Sequence, residues 1–130
     1  MLIQLLEPNF NHHDERGSLT QLVREGYTQI NVVASVAGAE RGRHYHKKNA
    51  EAFFVIAGKF SLTVSKGDIK ESYDFCAGDM FCVPPHVSHS FYFREYTLLV
   101  GMYSQGVENV DGTKDIHTDS PDFTQETEDI

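Results

Sequence analysis

The sequence has no tryptophan, only two cysteines and four prolines, and 11 basic side chains against 19 acidic ones in 130 residues. Each shortage excludes something. Cys76 and Cys82 are too few for a disulfide framework and too far apart for a CxxC pair, so both are expected to be buried free thiols in a reducing compartment. No apolar run approaches the roughly 18 residues needed to cross a bilayer. The best candidate, residues 97–102, has strand length. Met1-Leu2-Ile3 runs straight into Gln4 and Glu7-Pro8, with neither a charged leader nor an apolar stretch behind it. No signal peptide is expected, and the expected location is cytoplasmic.

The scarcity of Lys and Arg argues against a phosphate-backbone binder, so nucleic acid is not an expected partner. The net charge of −8 is also unevenly placed. Residues 108–130 hold eight acids and one base, Lys114, which leaves residues 1–107 close to neutral. The expected organisation is one folded domain over 1–107 and an acidic, solvated and partly ordered extension over 108–130.

A sustained 3.6-residue apolar period is missing too, which leaves no convincing helix. What is present is a succession of short β-rich segments: 2–6, 18–24, 29–36, 44–46, 52–57, 60–65, 69–75, 80–83, 88–93 and 97–103. A polar loop is expected over 9–17. Lys66-Gly67-Asp68 reads as a hairpin turn, and Pro84-Pro85 as a strand end. Many short strands with Gly and Pro turns and no helices between them predict an all-β sandwich or closed barrel. Nine Phe, together with Val, Leu and Ile, can fill its wall; Phe53, Val55, Phe81, Phe91 and Phe93 are expected core.

The chemistry-bearing residues are few. His44 and His46 are two apart, and on a strand such residues share a face, so both imidazoles can reach one ion. Glu51 opens the next segment with a carboxylate, and His89 follows Pro84-Pro85 on a later strand. Three imidazoles and a carboxylate suit one divalent metal ion (Zn, Mn, Fe or Ni) with positions left open for water or substrate.

The spacing continues beyond these four. Gly38 is followed by five residues, His44-Tyr45-His46, four residues, Glu51, six residues and Gly58. Gly78 is followed by five residues, Pro84, and then His89. This double pattern resembles the cupin superfamily, which implies an all-β double-stranded β-helix, a jelly-roll barrel in a single domain. The chain departs from the usual pattern at His86, where a Gly is common, and at Phe93, where an Asn is common.

Asp14-Glu15-Arg16-Gly17-Ser18-Leu19 and Arg41-Gly42-Arg43-His44-Tyr45-His46-Lys47-Lys48 narrow the resemblance. They look like nucleotide-sugar-modifying cupins: the dTDP-4-dehydrorhamnose 3,5-epimerases, the 3,4-ketoisomerases, and the metal-binding cupin domain of capsular polysaccharide synthesis enzymes. The resemblance implies an epimerase or isomerase of a nucleotide-linked 4-keto sugar in polysaccharide biosynthesis, acting as a homodimer. It also implies that Arg41 contacts the diphosphate, with Arg43 and Arg16 adding charge for substrate binding. In the metal-free epimerases the histidine matching His44 is the base. A metal-bound imidazole has no lone pair left for a proton, so here His44 is read as a ligand and the base falls to another group. Tyr103 and Lys48 are the candidates for acid–base work. The competing readings are an iron-dependent dioxygenase and a non-catalytic small-ligand-binding cupin, because fold alone does not choose among them.

Overall fold

In the computed structural model, which describes residues 1–118, segments such as 60–65 and 88–93 alternate buried with more exposed residues, and two sheets close around the buried set. The first sheet is ordered β1-β9-β6-β11-β4: β1 Gln4–Leu6, β9 Met80–Val83, β6 Glu51–Ala57, β11 Thr97–Tyr103 and β4 Gln29–Ser35. The second is ordered β5-β10-β7-β8: β5 Glu40–His44, β10 Ser88–Phe93, β7 Lys59–Lys66 and β8 Ile69–Cys76. All pairings are antiparallel. The all-β architecture expected from the strand pattern, and the jelly roll implied by the cupin resemblance, are the fold observed, and no helix occurs among the described residues.

The barrel interior is divided along its length. One part is an apolar plug in which Phe53, Phe60, Phe75, Phe81, Phe91 and Phe93 pack ring against ring, Phe75 and Phe81 stacking at 4.3 Å between centroids. The five residues expected in the core are all buried. Phe53 and Phe91 also lie edge-on to the His89 ring, at 6.3 and 6.0 Å, so the plug forms the floor beneath the polar part of the barrel. Rigid aromatic packing of this kind holds neighbouring side chains in fixed rotamers.

Three expectations are corrected. The loop expected over 9–17 is instead half of a hairpin, β2 Phe10–Asp14 pairing with β3 Gly17–Gln21, because the turn Asp14-Glu15-Arg16-Gly17 closes two exposed strands. Cys76 is exposed, since it faces out at the end of β8; Cys82 is buried, and both are free. The acidic segment expected to be solvated packs on the barrel as far as residue 117, with Asp115 only 2% exposed. The remaining acids of that segment, Asp119, Asp122, Glu126, Glu128 and Asp129, lie outside the described residues.

Candidate functional site

His44 ends β5, and register places it opposite His89 on β10, on one inward face. Glu51 is the first residue of β6 and pairs with Tyr103 on β11. His46 lies beyond the sheet, in the turn that joins β5 to β6. From these four directions the side chains meet. The ligand-type nitrogens of His44, His46 and His89 all lie within 4.8 Å of one another. The three rings are 4.7 to 5.3 Å apart between centroids. Glu51 Oε1 is 3.1 Å from His46 Nε2 and 3.6 Å from His89 Nε2. The residues that sequence spacing grouped as ligands are thus brought together, and all four are buried.

Burial sets the electrostatics. It pushes the Glu51 carboxyl up from its ordinary range, against the opposing pull of His46 and of the Tyr103 hydroxyl. Burial also disfavours the His46 imidazolium, but the Glu51 carboxylate outweighs it and the net shift of His46 is upward. Glu51 Oε2 accepts no hydrogen bond of good geometry, although the Tyr103 hydroxyl is near enough to favour the ionised form. A buried carboxylate among imidazoles is costly unless a cation compensates it, and a proton or a metal ion can supply that charge. Three imidazole nitrogens and one carboxylate oxygen on a common centre form a donor set that fits a borderline divalent ion.

The approach to this cluster depends on a β-bulge. The β5–β10 register slips between His89 and Ser90, so Arg43 is the extra residue. It adopts φ 62°, and Gly42 before it φ 92°. Strict alternation from His44 would send Arg41 outward; the slip instead pairs Arg41 with the inward-facing Phe91. Only glycine fits at 42, because a Cβ there would stand 2.6 Å from the His89 carbonyl oxygen.

The profile of the polysaccharide biosynthesis C-terminal domain family matches residues 12–107. The chain belongs to that family. No curated protein matches it. Among solved structures, a 3,4-ketoisomerase from Helicobacter canadensis aligns with TM-score 0.74 and 18% identity, over 86% of this chain and 89% of that one. A sugar 3,4-ketoisomerase from Thermoanaerobacterium thermosaccharolyticum in complex with TDP aligns at 0.72 and 18%, over 85% and 90%. A dTDP-4-dehydrorhamnose 3,5-epimerase from Bacillus anthracis aligns at 0.67 and 22%, over 85% and 75%. Identities this low establish a shared cupin fold.

In this polysaccharide biosynthesis C-terminal domain, the remaining candidates fall in different places. Arg41 reaches toward β4, donating from Nε to Ser35 Oγ at 2.8 Å, and lines a cavity of about 570 Å³ with Gln29, Asn31, Val33, Tyr103 and Lys114. Tyr103 belongs to both regions: it lines this cavity, and its ring meets that of His46 edge-on at 5.2 Å. Arg43 is exposed and pairs with Glu40 at 3.2 Å. Lys48 is exposed and donates from Nζ to Asn109 Oδ1 at 3.3 Å, outside the buried cluster. Arg16 sits on the β2–β3 hairpin, 83% exposed and bound to Asp14 at 2.6 Å. His86 is exposed with φ 68°, a left-handed conformation that accounts for glycine being the usual residue there.

Sequence reasoning missed Asn49, Asp115 and His117. Asp115 was one acid among eight in the C-terminal segment, and no spacing tied it to the histidines. Its carboxylate accepts from the backbone N–H groups of Lys47, Lys48 and Asn49 and from Asn49 Nδ2. Burial opposes the charge, but these donors prevail and hold its pKa down at about 2. Its contribution to stability is therefore present above the ordinary value of 3.8 and lost as pH falls through about 2.

Proposed function

We propose that this domain is a metal-assisted epimerase or isomerase of a nucleotide-linked 4-keto sugar. The observation that carries this reading is the convergence of the buried His44, His46 and His89, with the Glu51 carboxylate against two of them. Tyr103 connects them to the cavity lined by Arg41. Support comes from solved relatives of the same fold, one of them a 3,4-ketoisomerase in complex with TDP-4-keto-6-deoxyglucose.

Epimerising or isomerising a keto sugar requires removal of a proton next to the carbonyl and stabilisation of the charge that develops on its oxygen. A divalent ion held by His44, His46, Glu51 and His89 supplies Lewis-acid polarisation when bound. The chain's own groups do the rest. The Arg41 guanidinium, already oriented by Ser35, presents a planar fork suited to a diphosphate at the cavity. The Tyr103 oxygen, between the cavity and the Glu51 carboxylate, is the acid–base group: it takes the proton from the carbon as its own passes to Glu51, and the reverse transfer returns a proton. Arg43, Lys48 and Arg16 are exposed and meet the outlying parts of the substrate. The chain works as a homodimer, a reading supported by Ile30 and Val32, which are exposed on the edge strand β4.

Incubation with a panel of nucleoside-diphosphate 4-keto-6-deoxy sugars in D2O tests the proposal. Deuterium is expected at a carbon flanking the carbonyl, lost on chelation and restored by added metal. Tyr103→Phe should slow exchange by roughly 10²-fold or more, the size of a general acid–base contribution. No exchange across the panel overturns the reading. Oxygen uptake with Fe(II) and a small substrate would favour the dioxygenase alternative instead.

A further inference from the structure

His46 has a problem that His44, Glu51 and His89 do not. Those three stand on strands, where the ladder fixes the backbone. β5 stops at His44, and residues 46–50 run outside any strand. A turn outside the sheet must find other partners for its backbone groups. Segment 107–117 provides them.

The segment leaves β11, turns back on itself through the Glu108–Lys114 bridge, and returns Asp115 to the β5–β6 turn. Its hydrogen bonds bracket His46 on both sides. Tyr45 and His117 exchange two backbone bonds, at 2.8 and 3.0 Å. Lys47, Lys48 and Asn49 donate their N–H groups to the Asp115 carboxylate at 2.8, 2.9 and 3.1 Å. His117 Nε2 lies 3.1 Å from Asp115 Oδ1. Between these anchors, the His46 ring itself donates from Nδ1 to the Asp115 carbonyl oxygen at 2.6 Å. A backbone carbonyl only accepts, so Nδ1 carries the proton. In the neutral ring the Nε2 lone pair then faces Glu51, His44 and His89, which is the tautomer a metal ligand needs.

We infer that segment 107–117 is a strap that orients His46 for metal binding, with Asp115 as its positioning residue. The inference rests on the metal reading given above. Residues 108–117 of this stretch lie beyond the family match, which ends at 107. Asp115 touches no reacting group; it acts by fixing the turn from which His46 projects.

The test uses the full chain, its Asp115→Asn and Asp115→Ala variants, and Phe75→Leu as a control that perturbs the apolar plug alone. Asn keeps one accepting oxygen, so it remains informative if Ala does not fold. Zinc affinity is measured by chelator competition, and the His46 Nδ1–H resonance by NMR on metal-free protein. The strap predicts zinc binding weakened by roughly 10- to 100-fold in the Asp115 variants, the usual effect of losing an outer-shell partner. Phe75→Leu should leave the affinity unchanged even where it lowers Tm as much. The Nδ1–H signal should be present in the wild type and the control, and lost or broadened in the Asp115 variants. A folded Asp115 variant with wild-type zinc affinity and an intact Nδ1–H signal overturns the strap. If the wild type binds no zinc or other divalent ion, the metal reading fails on its own. The NMR signal then decides the strap: loss in the variants keeps the orienting role, and retention overturns it.

Discussion

Glu51→Ala, purified without chelator, is expected to carry essentially no divalent metal, against about one ion per chain for the wild type. His89→Ala should lose nearly as much, with affinity down by at least about 10²-fold. Glu51 is the more telling of the two. The three imidazoles are neutral donors, and the Glu51 carboxylate is the negative charge seen in contact with His46 and His89. Removing it leaves a divalent ion among buried neutral donors with no counter-charge. Burial already pushes the Glu51 carboxyl toward protonation. A bound cation favours the ionised form, so metal binding is expected to weaken as pH falls. Plasma-emission metal analysis reads the stoichiometry. If Glu51→Ala and His89→Ala hold as much metal as the wild type, the ligand assignment is wrong. His44 would then be free for the role of base that its resemblance to the metal-free epimerases implies.

The largest effect on stability is expected at Gly58, far from any chemistry. This residue alone links β6 of one sheet to β7 of the other, at φ 102°. A Cβ there would stand 2.4 Å from Thr97 Oγ1, 2.5 Å from the Tyr96 carbonyl oxygen and 2.6 Å from Thr97 Cα. Two of these three atoms are backbone and cannot rotate away. Gly58→Ala adds a left-handed non-glycine residue, about 1–3 kcal/mol, to an overpacked contact of similar size. A loss of about 3–5 kcal/mol is a large fraction of a typical domain's stability and should lower Tm by roughly 10 °C or more. Calorimetry checks this. Protein that remains folded should keep its metal, which separates the two variants: Glu51→Ala loses the ion and keeps the Tm, whereas Gly58→Ala lowers the Tm and, while folded, keeps the ion. A Gly58→Ala protein with wild-type Tm would contradict the close approach at this corner.

Much of the fold was legible because its signals are local. Alternation in residues 60–65 and 88–93, the Gly67-Asp68 turn and the Pro84-Pro85 stop each depend on a few neighbouring residues, and all appear where expected. His44, Glu51 and His89 were legible for the same reason, since a spaced motif marks the strands that bring them inward; His46, expected on one strand with His44, instead projects from the turn after it. What was not legible depends on contacts distant in sequence or on slips of register. The Arg43 bulge re-aims Arg41, and nothing in residues 40–44 says whether the ladder with β10 slips there. Asp115 lies 69 residues from His46, and composition described it only as part of an acidic tail. Charge counts read such a segment as solvated, but four N–H donors from the β5–β6 turn compensate this one carboxylate and bury it. The hairpin of β2 and β3 was missed because its exposed strands lack the apolar alternation that marks a half-buried one.

The proposed chemistry depends on His44, His46, Glu51 and His89 holding one ion. Anomalous X-ray diffraction from crystals of untreated wild-type protein, recorded at the absorption edges of manganese, iron, nickel and zinc, addresses this directly. The expected result is a single strong peak within bonding distance of one nitrogen from each histidine and a Glu51 oxygen, at one of those edges. Density at that point with no anomalous signal at any edge, or a peak elsewhere on the barrel, would contradict it.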